Sequence, residues 1–214
     1  MQNAAAQNQT DRRPVLLQLL AAIGLLGSLS LIAGTGLAQV LVPDHDWISD
    51  TISDLAAGKL EIVMDVALYG FAAGLIATAL AAAHAHLGGT GWSIGVLSLA
   101  LLAALVVVVG ARNEYGDGDS EGVVIHIYLV YGLGALFLIA PIAMAPGFGF
   151  YSVKVKWMFY VLAASWAVTA PVFLLSPNSI DGLIERILGL IACAIVGLMA
   201  IMFWRIGSGS AQGS

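Results

Sequence analysis

The sequence predicts an all-α fold: a polytopic integral membrane protein built as a six-transmembrane-helix bundle. Three observations predict it. Of the 214 residues, 60% are hydrophobic and only 10% charged, and the mean hydropathy is +0.95; soluble domains carry about 25% charged residues. Long runs contain no Asp, Glu, Lys or Arg at all. The chain also carries 25 glycines, a composition suited to closely packed membrane helices. It is one domain's worth of sequence, with no room for a soluble catalytic domain beside the helices. The net charge of -5 lacks the basic face that nucleic-acid binding needs, so no nucleic-acid partner is expected. A single cysteine, Cys193, excludes an internal disulfide.

Residues 1–13 are polar and aperiodic and read as a disordered cytoplasmic tail. The transmembrane domain is expected over 14–206. Arg12 and Arg13 precede a charge-free run from Pro14 to Pro43, longer than the apolar core of a signal peptide and long enough to cross about 30 Å of hydrocarbon as a retained helix. The next uncharged stretch, Val66 to Ala111, is too long for one helix. Its break falls at His86-Leu-Gly-Gly-Thr-Gly-Trp92, where glycines cluster, giving helices over 62–85 and 92–111. A fourth helix is expected over 122–145, stopping at Ala145-Pro146-Gly147, a fifth over 151–175 and a sixth over 183–204. Gly207-Ser-Gly-Ser-Ala-Gln-Gly-Ser214 reads as an appended linker tail.

Lys/Arg bias in the short loops puts both termini in the cytoplasm, with Arg12, Arg13, Lys154, Lys156 and Arg205 inside and Lys59, Arg112 and Arg186 outside. Of the thirteen acids only Asp11 then lies inside. Acidic residues steer topology little, so their gathering at one end needs its own cause.

Three segments converge at that outer end. In the first, Asp44-His-Asp-Trp-Ile-Ser-Asp-Thr-Ile-Ser-Asp54, the residues Asp50, Asp54, Glu61 and Asp65 recur at three or four residue steps, allowing for a turn at Ala57/Gly58. On a continuous helix these carboxylates would share a face and repel one another, whereas a break at Gly58 would separate the pairs. Ser49, Ser53 and Asp50 are also good helix caps. Asp65 is expected a turn inside the second span, where a carboxylate is costly and needs a partner or a role. The second segment, Arg112-Asn-Glu-Tyr-Gly-Asp-Gly-Asp-Ser-Glu121, resembles half of a calcium loop but runs into a membrane helix instead of completing one; a solvated acidic turn is the default. His126 follows, expected a turn inside the fourth helix, either as a structural hydrogen-bonding group or as a functional one. In the third segment, Glu185 and Arg186 are adjacent and point about 100° apart, so each needs a partner elsewhere: Asp54 or Asp65 for Arg186, Arg112 for Glu185.

At the other end, His84 and His86 sit two apart, a spacing unsuited to joint metal ligation on a helix, and read as interfacial. Trp47, Trp92, Trp157 and Trp204 suit an aromatic belt, and Trp166 a packed interior position.

Asp50-Thr-Ile-Ser-Asp-Leu55, the early His126 and Gly182-Leu-Ile-Glu-Arg186 resemble the bacterial membrane family called domain of unknown function 998, from about Val15 to Trp204. That resemblance implies six helices in a bacterial cytoplasmic (inner) membrane and no established activity. More distantly, Ile48-Ser-Asp-Thr51 is similar to a motif of the DRAM/Sfk group, which includes proteins of GPI-lipid remodelling; Ile52 stands where that group has glycine. The chain can also be compared with ceramidase-like membrane hydrolases through Ser53, Asp54 and His126. It lacks the three outer histidines of a catalytic zinc, so no metal is expected. No cofactor motif is visible.

The leading functional expectation is a lipid-interacting protein with a polar pocket at the outer leaflet. Arg112, Arg186, Glu185 and Asp50 would bind a headgroup, the arginines favouring phosphate. His126, with Asp54 or Asp65 and with Ser53 nearby, would supply acid–base chemistry on an ester. A proton- or cation-coupled transporter using Asp65 and His126 is one alternative. A structural subunit that binds a membrane-protein partner through small-residue faces is another.

Overall fold

Every apolar run folds as a helix long enough to span a bilayer in the computed structural model, which describes residues 14–56, 60–111 and 126–209. The helices are α1 (Pro14–Leu41), a short α2 (Ile52–Leu55), α3 (Glu61–Ala85), α4 (Thr90–Ala111), α5 (His126–Gly149), α6 (Val153–Leu175) and α7 (Asp181–Gly207). Six of them, all but α2, are the membrane-spanning set, so the protein is a multi-pass membrane protein. Chain neighbours α3 to α7 pack in succession, and α1 closes the ring by packing against both α3 and α7. The loop bearing α2 lies across one end, against α1 and the start of α7. We call this the acidic end.

The tightest crossing is α1 on α3. Gly24, Gly27 and Gly34 face Gly70, Gly74, Thr78 and Ala67. A Cβ on Gly27 would stand 2.7 Å from both the Gly70 carbonyl oxygen and the Gly74 Cα, so backbone meets backbone there. In hydrocarbon, where apolar surface gains nothing by leaving lipid for protein, such close van der Waals packing is what holds helices together. Interior hydroxyls bond within their own helices, as Thr78 Oγ1 does to the Gly74 carbonyl at 2.8 Å.

Of the tryptophans expected in an aromatic belt, Trp47 in the acidic-end loop and Trp157 and Trp204 at the other end are exposed. Trp92, by contrast, is 2% exposed. Its indole N–H donates to the Ala82 carbonyl at 2.8 Å, and its ring packs against Phe148 and Phe203. This cluster also explains why α5 runs on to Gly149 through Pro141 and Pro146 instead of stopping at Ala145-Pro146-Gly147. Proline removes one helical hydrogen bond, which neighbouring groups in a bundle can offset, and Gly147 and Phe148 both lie against Trp92. Trp166 packs inside as expected, donating its N–H to the Gly134 carbonyl at 2.8 Å and lying against the Phe137 ring at a 44° tilt.

Candidate functional site: a carboxyl at the head of an apolar cavity

The 42–51 loop is folded by its own acids. Asp46 accepts from the Ile48 N–H, and Asp50 accepts from the Asp46 N–H, both at 2.9 Å. Asp44 takes a left-handed backbone, φ 58°, which aspartate tolerates better than most residues. Thr51 then caps α2. Its Oγ1 accepts from the Asp54 N–H at 3.1 Å, while the Asp54 carboxylate accepts from the Thr51 N–H at 2.7 Å. This reciprocal capping box replaces the expected caps at Ser49 and Ser53. It also places Asp54 on Thr51, exposed and remote in role from Arg186. Because α2 ends at Leu55 and α3 begins at Glu61, Asp50 and Asp54 do not share a helical face with Glu61 and Asp65.

Arg186 binds this loop to α7. Its Nη1 donates to the carbonyls of Asp50 and Gly182, each at 2.8 Å, its Nη2 to His45 Nε2 at 2.7 Å, and its Nε to Gln39 Oε1 at 3.4 Å. The Leu183 N–H donates to the Ile48 carbonyl at 2.9 Å. Gly182 makes the approach possible, since a Cβ there would collide with the Asp50 carbonyl. The arginine thus finds loop carbonyls and a histidine where an acid partner was expected.

His45, read in the sequence only as a loop residue, is the hidden member of this network. Its imidazole is 3% exposed and Nδ1 lies 3.5 Å from Asp50 Oδ2. Arginine has no acceptor, so Nε2 must accept and the ring is neutral with its proton on Nδ1. Burial first, then the neighbouring Arg186 charge, lowers the His45 pKa from 6.5, against the opposing pull of Asp50, Asp54 and Asp46. The Asp50 carboxyl is lowered too, chiefly by the Asp46 N–H. A histidine whose folded pKa is depressed contributes stability above its unfolded value that is lost as pH falls. Thermal stability is therefore expected to drop as pH falls below about 6.5 and towards the folded pKa, while His45→Gln flattens that slope. Matching melting curves of the two proteins between pH 7.5 and 5 would count against it. The lowered Asp50 carboxyl acts in a separate window, below its ordinary value of 3.8.

Beneath the loop lies a cavity of about 450 Å³, lined from α1 to α7 by residues such as Leu68, Phe71, Phe137, Trp166, Leu188 and Gly189. It reaches the bundle's surface at Tyr131 and Leu174, 52% and 44% exposed. Ser53 and Glu185 form its polar head. Glu185 accepts from the Ile52 N–H and from Ser53 Oγ, the latter at 3.4 Å.

Of the candidates from the sequence, Ser53 and Glu185 meet at this cavity, with Arg186 and Asp50 joined in the adjacent clamp. Asp54 is an exposed cap, and Asp65 lies a turn into α3, partly buried. Arg112 and the acidic turn to Glu121 lie outside the described residues, as does the side chain of His126. Among the described residues no three His, Cys, Asp or Glu side chains gather as a metal site would require.

A six-helix membrane bundle closed at one end by an acidic loop, over an apolar cavity with a carboxyl at its head, is the class of protein that fold and site define. The sequence profile of the family described as "Protein of unknown function (DUF998)" matches residues 25–202. The chain belongs to the DUF998 family. No curated protein and no solved structure matches it, and the likeness to the DRAM/Sfk group finds no support in these comparisons.

Proposed function

We propose that the protein binds a membrane lipid by its chain, within the bundle and beneath the loop. The observation that carries this is the apolar cavity wall ending on Ser53 and Glu185. Size supports it: small-molecule sites run from about 300 to 1,000 Å³. A lipid chain would enter between Tyr131 and Leu174, where the cavity reaches the bundle's surface, and pack against its apolar wall. The same reading revises the expected headgroup clamp, since the Arg186 fork is held by loop and helix acceptors.

The test uses Gly189, which lines the cavity one turn from Glu185. A Cβ there meets only Ile52 Cδ1 at 3.7 Å, an ordinary contact, so Gly189→Leu should fold. It should lose at least about tenfold, or 1.4 kcal/mol, in retention of co-purifying lipid measured by mass spectrometry. Retention equal to wild type would remove the cavity from the argument.

We place the protein in a bacterial inner membrane with both termini cytoplasmic, on the bias of Arg12, Arg13, Lys154, Lys156 and Arg205 to one end. A reporter enzyme fused after Gly207 that is active only outside the cytoplasm should stay silent; activity would invert the orientation.

A further inference from the structure

Resting on that cavity reading, we infer that the ligand is an amphiphile with a protonated amine headgroup, held by Glu185. Lipid tails are as apolar as the cavity wall, so moving a chain out of the bilayer discriminates little between lipids. Discrimination falls to the polar head of the cavity.

That head is acidic. A carboxylate offers about four acceptor positions, and Glu185 uses two of them, for the Ile52 N–H and the Ser53 hydroxyl. Among the described residues no lysine or arginine hydrogen-bonds to it; Arg112, the partner expected from the sequence, lies outside them. Arg186, one position along, is turned onto Asp50, Gly182, His45 and Gln39. The remaining lining side chains with polar groups are Tyr131, on the exposed rim, and Trp166, whose N–H is bonded to Gly134. An ionised phosphate or carboxylate headgroup brings no donor for the remaining acceptor positions of Glu185. An ammonium brings three donors, and charge-assisted hydrogen bonds are the strong ones.

The experiment is native mass spectrometry of the full chain in neutral detergent with hexadecylamine, hexadecanol or hexadecanoate at equal concentrations. Wild type should retain one hexadecylamine, preferred over the other two by more than about tenfold. Glu185→Gln should bring the three close to parity, and Gly189→Leu should exclude all of them. If the alcohol or the acid binds as well as the amine, or if Glu185→Gln keeps the preference, the amine assignment falls while the cavity reading stands. If no chain binds, or Gly189→Leu retains them all, the cavity reading falls and takes this inference with it. The wild-type ranking decides the matter even if Glu185→Gln does not fold.

Discussion

Gly27→Leu is expected to abolish folding of the bundle, and Gly27→Ala to lower its melting temperature by about 5 °C. Even one methyl at this position would stand 2.7 Å from the Gly70 carbonyl oxygen and from the Gly74 Cα. Neither neighbour is a side-chain tip that can swing away, so the two helix backbones must separate. Overpacking of this kind costs about 1–3 kcal/mol, and in a chain of this length each kcal/mol shifts the midpoint by about 2–4 °C. Separation also loses the van der Waals contact that joins helices in lipid. Gly36, two turns further along the same helix, has nothing within 4 Å of where its Cβ would lie. Gly36→Ala should be neutral or stabilising by up to about 1 kcal/mol through helix propensity. The check is a pair of melting curves in one detergent. Equal losses at the two positions would show that the α1–α3 crossing does not depend on Gly27.

The contrast between these glycines marks how far the sequence could be read. Six spans were legible because length and charge-free runs are local properties, and bilayer thickness sets the required length. Which glycines touch is not local: Gly27 and Gly36 look alike in the sequence and differ only in what faces them. The end of α5 was misplaced for a similar reason. Pro146-Gly147 is a stop signal by local propensity, and the ring of Trp92 overrides it by packing on Phe148.

At the acidic end the residue types were legible and their partners were not. The Thr51-Ile-Ser-Asp54 spacing carries a capping box in plain view, yet the neighbouring serines competed for the same reading. Glu185 was singled out as needing a partner, and it has backbone and hydroxyl donors from α2. The Arg186 partners depend on how the 42–51 loop folds over α7, more than 130 positions away in the chain. His45 gave a signal only through its place between two aspartates in the segment Asp44-His45-Asp46. Its burial against an arginine follows from that same long-range fold.

Arg186→Met is expected to release the loop from α7 and to expose the cavity's polar head. The substitution keeps much of the side chain's apolar stem but leaves the Asp50 and Gly182 carbonyls and His45 Nε2 without their shared donor. Hydrogen bonds from a charged group contribute about 1.5–3 kcal/mol each, and the site is only partly buried, so water will replace some of them. A net cost of about 3 kcal/mol is expected, equivalent to roughly a hundredfold change in an opening equilibrium. Hydrogen exchange reads this directly at Leu183, whose N–H donates to the Ile48 carbonyl across the loop–helix junction. Exchange there should quicken by about two orders of magnitude, while amides at the α1–α3 crossing hold their wild-type protection. Arg186→Lys should recover only part of the loss, because a single ammonium cannot span acceptors arranged around a planar fork. Acidification below about pH 6.5 should loosen the same junction in wild type, since a protonated His45 can no longer accept from Arg186. If Leu183 exchanges at the wild-type rate in Arg186→Met, the loop is held by its backbone contacts alone, and the His45–Arg186 contact carries no part of the closure.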